Sequence, residues 1–145
     1  TIAEKLSTLA AEKILDNIDE ILEDKIEFKE QNHKNASYAA KIEKTEGQIE
    51  WGETAEKIIG KINGLYPSPG AFFLYNGERY KILKAILALG SGEIGEVLDN
   101  YLAISCGNKK SIKVLEIQRQ GKRPQNISEF MLGSQIKKGS KLNNA

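Results

Sequence analysis

One cysteine, one histidine, one methionine, one tryptophan and three prolines are spread over 145 residues, and each scarcity closes off a class of structure or chemistry. Cys106 has no second thiol with which to form an internal disulfide, so packing alone must hold the fold. Zinc sites draw several ligands at set spacings, and a single imidazole, His33, with a single thiol supplies no such set; no metal is expected. No apolar run approaches the roughly 18 residues needed to span a membrane. The chain opens with Thr1, has its only methionine at position 131 and shows no signal-peptide pattern of basic start, apolar run and small-residue cleavage site. The expectation is a cytoplasmic, reducing setting, no membrane partner, and a chain that is a piece of something longer.

Overall charge is also nearly absent, at a formal +1, but this neutrality hides a division. Residues 1–58 carry 8 lysines against 14 acidic residues, a net of −6, whereas residues 59–145 carry 13 basic against 6 acidic residues, a net of +7. Such asymmetry points to two structural units with different partners, and the basic one is the natural holder of a polyanion. Surface lysines also occur simply as a solvated face, so charge alone leaves both readings open.

Thr1 with Glu4 forms a capping-box pattern, in which each side chain satisfies a backbone N–H at a helix start. Ile2, Leu6, Leu9, Ile14, Ile18, Ile21 and Leu22 follow along one side of an amphipathic helix, a stripe that needs a packing partner. The stretch from Lys25 to Glu50 is rich in Glu, Lys, Asn and Gln and reads as an extended linker. From Trp51 the character changes. Ala55, Ile58, Ile59, Ile62 and Leu65 share one face of a helix starting at Thr54 and stopped by Pro67. Ala71–Tyr75 and Glu78–Leu87 flank Asn76-Gly77, whose tolerance of positive φ marks a type I′ hairpin. Further strands are expected at Glu96–Leu98, Leu102–Cys106 and Ser111–Arg119, then a helical turn capped by Asn126 and ended by Gly133. The fold class is α+β: an N-terminal amphipathic helix and linker followed by a small antiparallel β-barrel.

No catalytic residue is expected. His33 lies in the polar linker and Cys106 ends a strand, neither with an evident base or orienting partner. Gly90-Ser91-Gly92-Glu93-Ile94-Gly95 looks like a phosphate loop, but it runs into strand rather than opening a helix, which makes it a plain turn. The carboxylates of residues 16–30 sit on the exposed side of the first helix without a pocket. Basic side chains remain: Arg79, Lys81, Lys84, Lys109, Lys110, Lys113, Arg119, Lys122 and Arg123 fall on strands or turns that a small barrel can bring together over a phosphate backbone. Aromatic platforms are few, since about half of Phe72, Phe73, Tyr75, Tyr80 and Tyr101 must face the core, and this favours structured RNA over extended single strand.

The order of several blocks resembles one family. Tyr38-Ala39-Ala40-Lys41-Ile42, Ile49-Glu50-Trp51, Leu65-Tyr66-Pro67-Ser68-Pro69-Gly70-Ala71, Lys81-Ile82-Leu83-Lys84-Ala85, Leu115-Glu116-Ile117-Gln118 and Gln120-Gly121-Lys122-Arg123 are similar to the C-terminal half of methionyl-tRNA formyltransferases. The resemblance implies that residues 1–30 are the closing helix of a Rossmann-like catalytic domain, 31–50 an interdomain linker and 51–145 an OB-like barrel that holds tRNA. It implies an enzyme that transfers a formyl group from 10-formyltetrahydrofolate to the amino group of methionyl initiator tRNA. The Asn, His and Asp constellation for that chemistry would lie in the catalytic domain, and this chain would be inactive alone. RNA-binding positions carried over are Lys41, Lys81, Lys84, Lys122 and Arg123; partners would be initiator tRNA and the chain's own N-terminal domain. Two departures stand out: Asn63 and Tyr66 occupy a segment where the family often has an arginine followed by an asparagine, and Ser68 replaces a frequent tryptophan. Two rival readings are a formyltransferase or formylfolate hydrolase acting on a small molecule, which the basic second unit disfavours, and a stand-alone RNA-binding module.

Overall fold

A computed structural model describes residues 1–142. The chain divides into two compact units, Thr1–Ala39 and the remainder from Ala40. In the first, helix α1 (Ile2–Leu22) starts at Thr1, whose side chain accepts from the Glu4 N–H while the Glu4 carboxylate takes the N-terminal ammonium, closing the expected capping box. None of its residues is buried: Ile2, Leu15 and Leu22 are each more than 70% exposed, at 77%, 73% and 76%. The expected stripe is present and uncovered. A short 3-10 turn, His33–Asn35, interrupts the polar segment behind it.

The second unit is an antiparallel sheet with two helices. Helix α2 (Ala55–Leu65) buries Ala55, Ile58 and Ile62, one side of the helix, against the sheet. Strands β1 (Ala71–Tyr75) and β2 (Glu78–Ala88) form the hairpin foreseen at Asn76-Gly77, where φ is +50° and +75°. Strands β3 (Ala103–Ser105), β4 (Ser111–Arg119) and β5 (Gln125–Asn126) follow, then helix α3 (Ile127–Gly133), with Asn126 Oδ1 accepting from the Glu129 N–H at 3.0 Å. The order is β1-β2-β4-β3, and β5 joins β4 at its far end. This open five-stranded sheet has an OB-like, α+β character without barrel closure among the described residues.

Two details depart from the sequence expectation, and a third concerns the register of β2. Glu96–Leu98 forms only isolated bridges, Glu96 with Lys141 and Val97 with Ile104, because the C-terminal segment competes for the same edge: Val97 N–H donates to Ser140 at 2.9 Å and Leu142 N–H to Gly95 at 2.8 Å. The polar linker is not extended throughout, since Lys44–Gly47 is a 3-10 turn whose end docks on β1: Ile49 N–H donates to Phe72 at 2.7 Å and Lys61 Nζ to the Gln48 carbonyl at 3.0 Å. Strand β2 slips register on both sides of Lys84. Strict alternation from Tyr80 and Ile82 would turn Lys84 inward; the bulge sends it to solvent and buries Ala85 instead.

The core holds a run of aromatics. Trp51 meets Phe73 edge-on at 5.8 Å, Phe73 stacks on Tyr80 at 5.4 Å, and Tyr80 meets Phe130 edge-on at 5.8 Å. These contacts tie the turn before α2, the hairpin and α3 into one hydrophobic cluster. The Trp51 indole N–H is buried without a hydrogen-bond partner.

Candidate nucleic-acid interface

Four surface hollows adjoin one another on the second unit. One is lined by Lys41, Lys44, Ser68 and Pro69; the next shares Lys44, Ser68 and Pro69 and adds Phe72, Arg79 and Lys81; a third shares Arg79 and Lys81 and adds Gln118, Arg119 and Gly121; the last shares Arg119 and adds Lys122, Arg123 and the start of α3. Seven cations line this stripe against two carboxylates, Glu43 and Glu129. A concave, cationic track of this kind focuses its field on a polyanion.

Local structure places each side chain. Lys41 and Lys44 are carried by the segment that docks on β1, and the docking depends on Gly47, where a Cβ would stand 2.5 Å from the Gly70 carbonyl oxygen. Phe72, Arg79 and Lys81 share the outer side of the hairpin, with Phe72 opposite Lys81 and the Arg79 guanidinium 5.3 Å from the centre of the Phe72 ring. Lys122 and Arg123 leave a tight turn closed by Lys122 N–H donating to the Arg119 carbonyl at 3.0 Å, with Gly121 at φ +71° and Gln118 Nε2 donating to the Lys122 carbonyl at 2.9 Å.

Arg119 is the exception among the seven. Its Nη2 donates to Glu78 Oε1 at 2.5 Å, and Tyr80 Oη donates to Glu78 Oε2 at 2.8 Å. These bonds, the guanidinium first, hold the Glu78 carboxyl below the ordinary carboxylate range. Burial, then the Glu78 bond, pushes the Tyr80 phenol up to about 12. The other six form no ion pair with a carboxylate among the described residues. Their charge is available to a ligand.

Of the positions singled out from sequence, Lys41, Lys81, Lys122 and Arg123 line the stripe. Lys84 is exposed at the β2 bulge, opposite Glu116, and lines none of the four hollows. The run Lys109–Lys113 goes elsewhere: Lys110 pairs with Glu56 at 2.5 Å, and Lys113 lies over the Tyr101 ring at 5.4 Å. Lys44 was missed, because nothing in a polar linker distinguishes one lysine from the next until the segment docks. Arg79 and Arg119 belonged to the wider basic set without being singled out. The Gly90–Gly95 segment is a turn, with Ser105 Oγ accepting from Gly92 N–H at 3.0 Å and donating to the Gly92 carbonyl at 3.1 Å.

No group of three or more His, Cys, Asp or Glu side chains able to hold a metal ion occurs among the described residues. Burial pushes the Cys106 thiol up to about 11, which leaves it protonated and a poor nucleophile at neutral pH. No helix among the described residues is long and apolar enough to cross a membrane.

Comparison with known proteins adds the family. Residues 41–135 match the family described as formyl transferase, C-terminal domain. The chain is 67% identical over 144 residues to a methionyl-tRNA formyltransferase of Pelagibacter ubique, covering 99% of this chain and 46% of that protein. It is 38% identical over 135 residues to a methionyl-tRNA formyltransferase of Rhodopseudomonas palustris, covering 90% of this chain and 43% of that protein. The chain thus spans about half the length of the curated relatives it matches. Among solved structures, HypX from Aquifex aeolicus in complex with tetrahydrofolic acid superposes with a TM-score of 0.64 over 89% of this chain and 24% of that one, at 17% identity, a likeness of fold.

Proposed function

Because the chain belongs to the formyl transferase C-terminal domain family, we propose that it is the tRNA-holding half of a methionyl-tRNA formyltransferase, with the catalytic half preceding it. The observation that carries this reading is the cationic stripe from Lys41 to Arg123, in which only Arg119 is paired with a carboxylate. In the proposed reaction the methionyl amine of charged initiator tRNA attacks the formyl carbon of 10-formyltetrahydrofolate, the new N–C bond forms as the bond to folate N10 breaks, and the amine proton passes to the departing folate nitrogen. The chain's own contribution is positional: holding a large anionic substrate turns an encounter between three partners into a step between prearranged groups. The hollows here are open, cation-lined tracks, unlike the enclosed apolar slot that a pteridine needs, so the formyl donor is assigned to the preceding half.

In this reading residues 1–30 close the catalytic domain and residues 31–50 link it to the barrel-like unit. The uncovered stripe of α1 is the surface that such a domain would bury. Lys41, Lys81, Lys122 and Arg123 hold phosphates, while Lys84, outside the hollows, contributes at the periphery. Binding of initiator tRNA measured over a series of salt concentrations tests the assignment. The log-log slope should flatten by roughly 0.7–0.9 when any of those four is changed to alanine, and by less for Lys84→Ala. Four variants with unchanged slopes would overturn it.

A further inference from the structure

The two strands that hold the middle of the cationic stripe carry a second group of exposed side chains farther along. Ile82 and Ala85 of β2 are buried, as are Val114 and Ile117 of β4, so the residues flanking them take the outer face of the ladder. At one end that face presents the pair Lys81 and Gln118, which already line the stripe; at the other it presents the pair Ile86 and Lys113. The span from position 81 to position 86 is roughly 17 Å of strand. Lys113 in turn reaches Tyr101, which is 56% exposed, with its Nζ 5.4 Å from the centre of the ring. Lys84 and Lys113 form no ion pair with a carboxylate among the described residues, and Glu116 is the single carboxylate on this stretch of the two strands.

Tyr101 is held out by a fixed turn. Asp99 Oδ1 accepts from the Tyr101 N–H at 2.8 Å and from the Ala103 N–H at 2.9 Å, and Leu98 N–H donates to the Ala103 carbonyl at 2.7 Å. Leu102 sits at φ +58°, a left-handed conformation uncommon for a leucine, and its side chain is fully buried. With Leu102 anchored in the core and the backbone on either side of it bonded, the Tyr101 ring stands on a turn that needs little ordering when a ligand arrives.

We propose that the outer face of the β2–β4 ladder is a second arm of the RNA interface, on which one unpaired nucleotide stacks its base on the exposed Tyr101 ring and sets its phosphate by Lys113. An exposed ring beside a lysine matches a nucleotide, because every base has a flat face for the ring and an attached phosphate for the ammonium. The nucleotide is unpaired, since a base inside a duplex offers no free face. The inference rests on the RNA-holding reading above and extends it: the stripe contacts phosphates, and Tyr101 takes a base. A docked protein surface is the rival occupant. Continuity with the stripe along one ladder and the unneutralised Lys84 and Lys113 favour RNA.

Initiator tRNA binding and its salt slope, measured for wild type and for variants of Tyr101 and Lys113, test the proposal. Tyr101→Ala should weaken binding about 5- to 100-fold with the slope unchanged, since no charge is lost, while Tyr101→Phe keeps the ring and should bind within about twofold of wild type. Lys113→Ala should flatten the slope by roughly 0.7–0.9. Tyr101→Trp gives a direct readout: Trp51, the natural tryptophan, is buried, so the added indole is the exposed one. Its fluorescence should be quenched by tRNA and not by a blunt RNA duplex, whose bases are already stacked. Equal tRNA affinity for wild type and Tyr101→Ala would overturn the proposal while leaving the phosphate stripe standing, and equal quenching by tRNA and duplex would do the same. An added indole that tRNA leaves unquenched, but that changes its emission when the preceding half is attached, would give the ring to a protein surface and overturn the proposal too. Weakened binding in Tyr101→Ala together with unchanged slopes in Lys81→Ala, Lys122→Ala and Arg123→Ala would instead support the platform and overturn the stripe.

Discussion

Lys81 lies across Gly70: a Cβ at Gly70 would stand 3.1 Å from Lys81 Cδ and 3.5 Å from its Nζ, and Gly70 itself sits at φ +83°. The aliphatic stem of the lysine therefore rests on bare backbone, with its ammonium presented to the middle of the cationic stripe. Gly70→Ala imposes two penalties at once, a left-handed conformation on an L-residue and a displaced Lys81. A loss of about 1–2 kcal/mol in urea unfolding is expected from the first. Weaker tRNA binding follows from the second, and Gly70→Ala combined with Lys81→Ala should bind no worse than Lys81→Ala alone.

The turn between β3 and β4 presses against the turn before α2. A Cβ on Gly107 would lie 1.9 Å from the Gly52 carbonyl oxygen, while Gly107 N–H donates to the Glu53 carbonyl at 2.9 Å. Backbone meets backbone there, and no flexible side chain can yield. Gly107→Ala should cost about 3 kcal/mol or prevent folding. Gly60 is the contrast: it lies inside α2 with nothing within 4 Å of a Cβ, so Gly60→Ala should stabilise the protein by about 0.5–1 kcal/mol. Chemical denaturation of the two variants gives opposite signs if the close approach is real.

Glu78 makes stability depend on acid. Its folded-state carboxyl is held low, mainly by Arg119 and then by Tyr80. A depressed folded value means that the contribution is complete above the unfolded value of about 4.5 and is lost as pH falls through the folded one. Unfolding midpoints of wild type should therefore drop more steeply below pH 4.5 than those of Glu78→Gln, which has no proton to take up. Tyr80 acts at the other extreme: with its folded value raised to about 12, its contribution is complete below the ordinary phenol value and is lost as pH rises through the folded one. Matching acid profiles for wild type and Glu78→Gln would remove Glu78 from this role.

The proposed division of labour also predicts what the chain cannot do alone. Supplied with 10-formyltetrahydrofolate and charged initiator tRNA, these 145 residues should yield no formylated product, and measurable turnover would sink the division. Amides of α1, none of whose residues is buried, should exchange quickly in this chain and slowly when the preceding half is attached, as its apolar stripe becomes covered.

Local chemistry made much of the fold legible. Thr1 with Glu4, Thr54, Asn76-Gly77 and Asn126 with Glu129 act on neighbours within three residues, so the caps and the hairpin followed from sequence without reference to the rest of the molecule. Charge imbalance between the two parts of the chain was equally readable, since it needs only counting. Lys41, Lys81, Lys122 and Arg123 were singled out by resemblance, and where they lie relative to one another was not visible in it.

Convergence was settled by tertiary structure. Lys41 and Lys44 reach the stripe only because the segment ending at Gly47 docks on β1 beside Gly70. Lys84 faces solvent because a bulge breaks the alternation of β2, and Lys110 is drawn to Glu56 by a contact 54 positions away in sequence. The hollow beside Tyr80 joins β2, β4 and α3, elements that no periodicity relates. Composition, caps and turns are properties of short stretches and can be read from them; a binding surface depends on which distant stretches meet, and that is decided by packing.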